Sequence, residues 1–287
     1  VKILFDHQMF ALQKYGGISR YFAGLNNGIN THIGYTSKIA ALYSENEYLK
    51  DSPPVFNNVL GRKLFSGKPE LIYKWNKKFS KRYIGLGKYD ILHPTYFDPY
   101  FIRYNKKPLV ITVHDMIYEQ QPELFPDSPL VIKHKREVIE KADAIIAISE
   151  YTKQEIIRFY PQVEPLISVV HHGYTLSTVL AQADLALPAK YILFVGERWH
   201  YKNFTGFVNS ISSLLKRDPT LNLVCAGGGK YSEEESKVFS EIGIADQCIQ
   251  LNATDAQLKY LYSNARLFVF PSLHEGFGLP LLEAFAN

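Results

Sequence analysis

Arg266-Leu267-Phe268-Val269-Phe270-Pro271-Ser272-Leu273-His274-Glu275-Gly276-Phe277-Gly278-Leu279-Pro280-Leu281-Leu282-Glu283-Ala284 reads as three consecutive pieces. Arg266–Phe270 is a strand-like run ended by Pro271-Ser272. A loop bracketed by Gly276 and Gly278 follows, and from Leu279 the pattern turns helical. A strand, a loop with exposed amides and a helix N-terminus together suit anionic oxygen. Glu275 lies before the loop and Glu283 one turn into the helix, and carboxylates accept hydrogen bonds from hydroxyls. A ligand using both kinds of group looks like a sugar joined to a ribose through a diphosphate. The plain alternative is an ordinary strand-to-helix loop with two surface acids.

Working outward from this stretch, short β-branched runs alternate with helical patterns, which predicts parallel sheets covered by helices. In the first half the strand candidates are residues 2–6, 34–42, 89–93, 109–114, 144–149 and 167–171. Helices are expected from Gly17 to about Asn27, from Pro129 to Lys141, and from Thr152 to Phe159 behind a Ser149 cap. Residues 176–190 dissolve into small and polar types and read as a linker. A second series follows: strands at 191–195, 221–226, 248–251 and 267–270, with helices over 204–216, 233–242 and 255–263. The expected layout is an α/β chain of two doubly wound, Rossmann-like domains, 1–175 and 191–287. Ligand in such sheets sits beyond the carboxyl ends of the strands, here in a cleft between the domains. The second domain shows fewer strands than the usual six or so, so the chain reads as truncated at its C-terminus.

The 287 residues are 46% hydrophobic and 21% charged, as expected of a globular protein with enough chain for two cores. No apolar run approaches the ~18–20 residues that span a bilayer. The opening Val1-Lys2-Ile3-Leu4-Phe5-Asp6 reads as a core strand and not as a signal peptide. Cys225 and Cys248 lie in apolar runs without CxxC spacing and are expected to be buried and reduced, which points to the cytoplasm.

Four other places carry candidate chemistry. Gly16-Gly17-Ile18-Ser19-Arg20 precedes a helix, where glycines allow close backbone approach and the helix start favours anions; a plain turn is the alternative. Thr112-Val113-His114-Asp115 puts a polar pair at a strand's carboxyl end, with Asp115 expected to orient the loop. Gly196-Glu197-Arg198-Trp199-His200-Tyr201-Lys202-Asn203 brings two cations, Arg198 and Lys202, to the end of the second domain's first strand. Fixed cations there would stabilise a leaving diphosphate. Gly227-Gly228-Gly229-Lys230 satisfies neither G-x-G-x-x-G nor a Walker loop, because Ser232 and Tyr231 stand in the required positions. His171-His172-Gly173 reads as a hinge and packing element. Asp-x-Asp is absent and no His/Asp/Glu cluster has ligand spacing, so neither a metal nor another cofactor is expected.

Glu275 and Glu283, within the longer string Phe270-Pro271-Ser272 … Glu275-Gly276-Phe277-Gly278-Leu279-Pro280 … Glu283-Ala284, resemble the E-x7-E signature of family 4 retaining glycosyltransferases of GT-B fold. The resemblance implies that Glu275 contacts the donor sugar and Glu283 the ribose hydroxyls, with the amides of Gly276, Phe277, Gly278 and Leu279 holding diphosphate and sugar. It implies that Gly16 and Gly17 line the acceptor side and touch the donor phosphate, and that His114 hydrogen-bonds the donor sugar. Gly196, Arg198 and Lys202 resemble the family's diphosphate-neutralising group. Lys202 stands six beyond the glycine as in the family, whereas Arg198 lies one position further along than the pattern has it. Asn252, after the third strand, would meet the base. The implied reaction is metal-independent transfer from a nucleotide-diphosphate sugar to a glycan or lipid-linked acceptor, with retention. The Tyr-Lys-Asn form and the string His114-Asp115-Met116-Ile117-Tyr118 are similar to bacterial surface-polysaccharide mannosyltransferases, pointing to mannose, from GDP-mannose. The alternatives are a GT-B sugar-nucleotide epimerase and a non-catalytic nucleotide-sugar-binding protein.

The net charge of +4 is uneven: residues 61–88 carry nine bases against Glu70 alone. Leu71, Ile72, Trp75, Phe79 and Tyr83 recur there at near-helical spacing. Two readings stand: a helix lying on an anionic membrane, or a stripe packed on the sheet with its lysines solvated. No nucleic-acid-binding fold accompanies the segment.

Overall fold

In a computed structural model, residues 1–173, 185–198 and 200–287 are described. Most of the expected 176–190 linker, and Trp199, lie outside the described residues. The chain divides into two units, Val1–His171 and His172–Asn287, each described by itself.

Unit 1 runs β1 (Lys2–Phe5), α1 (Gln8–Leu12), α2 (Gly17–Ile29), β2 (Thr36–Ile39), α3 (Val59–Phe65), α4 (Pro69–Leu86), β3 (Ile91–His93), β4 (Val110–Val113), α5 (Ile117–Gln120), α6 (Ser128–Lys141), β5 (Ala144–Ala147), α7 (Glu150–Phe159) and β6 (Ile167–Val169). Its strands pair in parallel as β2-β1-β3 and β4-β5-β6. A parallel bridge, Leu92 to Leu109, links the two sets in the order β2-β1-β3-β4-β5-β6. The β-branched runs that predicted these strands form the core: Leu92, Ile111, Val113, Ile145 and Ala147 are buried between α6, which contributes Val138 and Ile139, and the remaining helices. Ser149 caps α7 by accepting a hydrogen bond from the Thr152 amide, as its position predicted.

Unit 2 runs β7 (Lys190–Val195), α8 (Phe204–Arg217), β8 (Leu221–Ala226), α9 (Glu233–Ile242), β9 (Cys248–Leu251), α10 (Asp255–Asn264), β10 (Leu267–Phe268) and α11 (Leu279–Phe285). The sheet is parallel in the order β10-β7-β8-β9. Ser232 and Thr254 close capping boxes with Glu235 and Gln257, which fixes where α9 and α10 begin. Leu185 and Leu187 already pack on the cluster containing Tyr191 and Leu193, so the end of the expected linker belongs to this core. Cys225 and Cys248 are free thiols, and burial pushes both up to about 12. Only Cys225 is fully buried; Cys248 is half-buried.

The strand order locates the chemistry. In unit 1 the chain leaves β1 for β2 on one side and returns to β3 on the other. In unit 2 it leaves β7 for β8 and β9, then returns to β10 across β7. Crossovers run in opposite directions from such a central strand, so the loops after it and after its late neighbour diverge and leave a crevice. The switch points therefore lie at the carboxyl ends of β1/β3 and of β7/β10. Among the described residues, no helix is long and apolar enough to cross a membrane.

Candidate active site

The unit 2 switch point is lined by the loop after β7 and the loop after β10. Three hydrogen bonds tie these loops together. Lys202 Nζ donates to Glu275 Oε1 at 2.5 Å, Asn203 Nδ2 to the Pro271 carbonyl at 3.3 Å, and the Leu273 amide to the Tyr201 carbonyl at 2.8 Å. Asn203 holds φ +53°, alone in the left-handed region among the described non-glycine residues, as it turns the chain into α8. The Lys202 and Glu275 side chains are 20% and 24% exposed, so the pair is sheltered yet reachable. Lys202 Nζ also lies over the rings of Tyr201 and Phe270, at 4.9 and 5.8 Å. The structure thus brings together two residues separated by 73 positions that the sequence offered as separate candidates.

Beyond Glu275 the loop passes Gly276 and Phe277, whose ring meets His172 edge-on at 5.2 Å, and reaches Gly278. Gly278 is buried at φ +88° as the residue before α11, a conformation that disfavours any side chain. Glu283, in α11, accepts a hydrogen bond from the Tyr262 hydroxyl of α10 at 3.2 Å. Asn252 is exposed at the end of β9, and its Oδ1 accepts from Gln250 Nε2 at 3.3 Å.

Arg198, the second cation read from the sequence, is placed differently from Lys202. It was expected to present a cation to a diphosphate, but its side chain is 4% exposed and turned into the unit. Nε donates to Glu235 Oε1 at 2.8 Å, Nη1 to the Gly227 carbonyl at 2.9 Å, and Nη2 to the carbonyls of Gly229 and Lys230 at 3.0 Å each. Its guanidinium also stacks 4.8 Å over the Tyr231 ring. Planar, five-donor geometry suits an Arg to gather carbonyls in this way. The triglycine turn is what it gathers: Gly227, Gly228 and Gly229 have φ of +88°, +69° and +71°. A Cβ on Gly228 would stand 2.6 Å from Arg198 Nη1 and 2.9 Å from the Gly196 carbonyl. Arg198 is a clasp for that turn, and Glu235, from the α9 capping box, neutralises it. Gly196 joins the same assembly through its amide, which donates to the Ala226 carbonyl at 2.9 Å.

In unit 1, Gly16 and Gly17 open α2, with the Gly16 carbonyl accepting from the Arg20 amide and the Ser19 hydroxyl, both at 3.0 Å. The Ser19 amide donates to Gln13 Oε1 at 3.3 Å, so the Gln13 carboxamide folds back over the start of α2. His114 follows β4 and packs edge-on against Tyr21 and Phe22 of α2, at 5.2 and 6.1 Å. The expected loop and histidine therefore meet through one helix.

Two features of unit 1 escaped the sequence reading. Lys135 of α6 is a buried cation that donates to the Asp115 carbonyl at 2.6 Å and to Glu119 Oε2 at 2.9 Å, fixing the turn after His114. At the β1/β3 switch point, Asp6 Oδ1 accepts from the Thr95 amide and hydroxyl, both at 2.8 Å. Its Oδ2 accepts from Gln8 Nε2 at 2.7 Å and the Tyr100 hydroxyl at 3.0 Å. His7 Nδ1 meets the same hydroxyl at 3.2 Å, and burial pushes its imidazole down to about 4. The signal available was Asp6-His7-Gln8 standing directly at a strand's carboxyl end.

Residues 15–178 match the family described as Glycosyltransferase Family 4, and residues 180–287 match Glycosyl transferases group 1. The O-antigen chain mannosyltransferase RfbU of Salmonella typhimurium is 26% identical over 201 residues, covering 65% of this chain and 56% of that protein. The O-antigen chain mannosyltransferase B of Escherichia coli is 27% identical over 202 residues, covering 64% and 52%. This chain thus spans about half the length of the curated relatives it matches. The crystal structure of Anabaena Alr3699/HepE in complex with UDP and glucose superposes with a TM-score of 0.70 at 16% identity, covering 99% of this chain and 78% of that one. Two parallel doubly wound units with GT-B structural neighbours, and a family match over more than half of the residues, place this chain in glycosyltransferase family 4.

Proposed function

We propose that this chain binds a nucleotide-diphosphate sugar on unit 2 and transfers the sugar, with retention, to a glycan or lipid-linked acceptor hydroxyl. The observation that carries this reading is the Lys202–Glu275 pair, half-sheltered at the switch point and held by two loops bonded to each other. A compact ammonium beside a carboxylate matches a ligand with a charged diphosphate next to sugar hydroxyls. Lys202 would neutralise the departing diphosphate, and Glu275 would accept hydrogen bonds from the sugar. The amides of residues 276–279 would donate to its oxygens, and Glu283, steadied by Tyr262, would take the ribose hydroxyls. In unit 1, His114 is proposed as a donor-sugar contact and Gly16-Gly17 as the acceptor-side loop. The rings of Tyr21 and Phe22, which fix His114 against α2, support that reading.

In the step proposed, the acceptor oxygen bonds to the anomeric carbon on the face from which the diphosphate oxygen departs. The acceptor's proton passes to that leaving oxygen. Catalysis is then mainly electrostatic, with the cation and amides matched to charge that develops as the C–O bond breaks. No divalent cation is needed in this scheme, because Lys202 supplies the positive charge. GDP-mannose is the proposed donor, its mannose supported by the two mannosyltransferase relatives.

The test is a mass-spectrometric transfer assay on the full-length protein, with a panel of nucleotide sugars and acceptor extracts, run with and without EDTA. The expected result is mannosyl transfer with retained anomeric configuration by NMR, unchanged in chelator. Glu283→Ala should weaken donor affinity about tenfold or more, since a charge-assisted hydrogen bond contributes ~1.5–3 kcal/mol. Turnover of donor without any acceptor would favour an epimerase. Tight donor binding without transfer would favour a binding protein.

A further inference from the structure

The apolar stripe of the basic segment packs for the most part against unit 1. Ile72 of α4 is buried against Phe65 of α3 and Tyr43, Leu71 packs on the same cluster, and Tyr83 packs on the main core. Lys77 pairs with Asp98 at 2.5 Å, and Lys81 lies over the rings of Tyr100 and Tyr104. Most of the stripe is therefore packing, as the second of the two sequence readings had it, and two of its lysines are not outward charges.

A different apolar edge is left outside. On α3 the inward face is Gly61 and Phe65, one turn apart, and a Cβ on Gly61 would overlap the Phe56 carbonyl at 1.7 Å, so this face is pressed against the unit. That orientation turns Val59, Leu60 and Leu64 outward, at 84%, 57% and 46% exposure. Trp75 of α4, a helix whose Ile72 shares a buried cluster with Phe65 of α3, is 45% exposed, and Lys78 Nζ lies 4.8 Å from its ring. Around this edge Arg62, Lys63, Lys68, Lys74 and Lys78 are exposed, against Glu70 as the acid of the segment.

We propose that α3 and the first half of α4 form a docking surface for an anionic lipid bilayer. Aliphatic side chains and a tryptophan, flanked by cations with a single acid, match the boundary between lipid tails and negatively charged headgroups. A nucleic acid would use the cations but leave Val59, Leu60 and Leu64 without a role. The proposal does not depend on the transfer reaction, because vesicle binding is read without turnover.

The experiment is co-sedimentation of the full chain with phosphatidylcholine vesicles, with and without phosphatidylglycerol. Binding is expected to the anionic vesicles alone, with a blue shift in tryptophan emission that Trp75→Phe removes. Lys74→Glu/Lys78→Glu should lower the partition coefficient about tenfold or more, since each base near an anionic surface adds to attraction independently. Leu60→Ser/Leu64→Ser should lower it as well, at unchanged charge. Lys106→Glu/Lys107→Glu, an equal charge change at exposed residues elsewhere in unit 1, should leave it within twofold. Equal pelleting on neutral and anionic vesicles, an equal loss for the Lys106/Lys107 pair, or full binding by Leu60→Ser/Leu64→Ser would each overturn the proposal.

Discussion

The two units have the same kind of topological switch point and fill it in opposite ways. At the end of β1 and β3, Asp6, His7 and Gln8 are wholly buried, and the acceptor positions of Asp6 are occupied by Thr95, Gln8 and Tyr100. At the end of β7 and β10, Lys202 and Glu275 meet each other with a fifth or more of each side chain still exposed. The first cluster is internal cement: apart from His7 Nε2, which is buried without a hydrogen-bond partner, its side-chain groups are engaged within the fold, so a ligand would have to break bonds to reach them. The second can exchange partners with a ligand at modest cost, because neither charge is fully desolvated. Polar residues at strand ends alone do not distinguish a site from a structural network. Exposure and prior engagement do.

The same contrast recurs within one loop. Arg198 and Lys202 lie four residues apart, and the sequence offers them as an equivalent pair of cations. Arg198 is committed to Glu235 and to the carbonyls of the triglycine turn, whereas Lys202 is committed to a single carboxylate. Replacing them should therefore break different properties.

The largest effect is expected at Arg198. Arg198→Met leaves the sheltered Glu235 without its cation, holding only the Ser232 amide, and releases the turn, which should cost about 3–5 kcal/mol of stability. Adding Glu235→Leu should restore part of the loss, because the uncompensated charge is then gone. Urea unfolding of the two variants checks this. Equal stability of Arg198→Met and wild type would make Arg198 a free cation after all and erase the contrast with Lys202.

A smaller effect sharpens the account of unit 1. Burial pushes His7 down to about 4 and His93 down to about 3, while an unfolded histidine titrates at 6.5. The unfolded chain therefore binds protons that the folded imidazoles refuse as the pH falls below 6.5. This stability is held in full above 6.5 and declines as pH falls. The decline levels off near pH 4 for His7 and pH 3 for His93. Each histidine contributes a slope of up to about 1.4 kcal/mol per pH unit. Urea midpoints between neutral pH and about pH 4.5 should show a shallower decline in His93→Gln than in wild type. Parallel declines would mean that His93 is accessible to protons in the fold.

Much of the fold was legible because its strands are continuous β-branched runs and its helices carry caps such as Ser149, Ser232 and Thr254, which mark boundaries by local chemistry. Elements lacking those signals were missed. α1 has only five residues, and α3 has an exposed apolar face that breaks the expected periodicity. β10 stops at Phe268, short of the expected Phe270, although the Val269 amide still reaches the Leu193 carbonyl at 3.0 Å. At the site, the loop motifs around Glu275 and Lys202 could be read one by one. Their pairing across 73 residues depends on the β10-β7 neighbour relation, which no local pattern carries. The inward turn of Arg198 was invisible for a related reason: its partners are backbone carbonyls of a turn 29 to 32 residues away, and carbonyls leave no mark in a sequence.

The proposed function rests on Lys202, the more exposed of the two cations, as the positive charge that meets the donor diphosphate. Its most direct test is the kcat/KM for sugar transfer by Lys202→Ala, measured beside its urea unfolding midpoint. Losing one preorganised charge that acts in the transition state costs about 100-fold or more, so kcat/KM should fall by at least that factor while the midpoint stays close to wild type. A Lys202→Ala protein that transfers sugar at the wild-type rate, or one that loses activity only in proportion to lost stability, would contradict it.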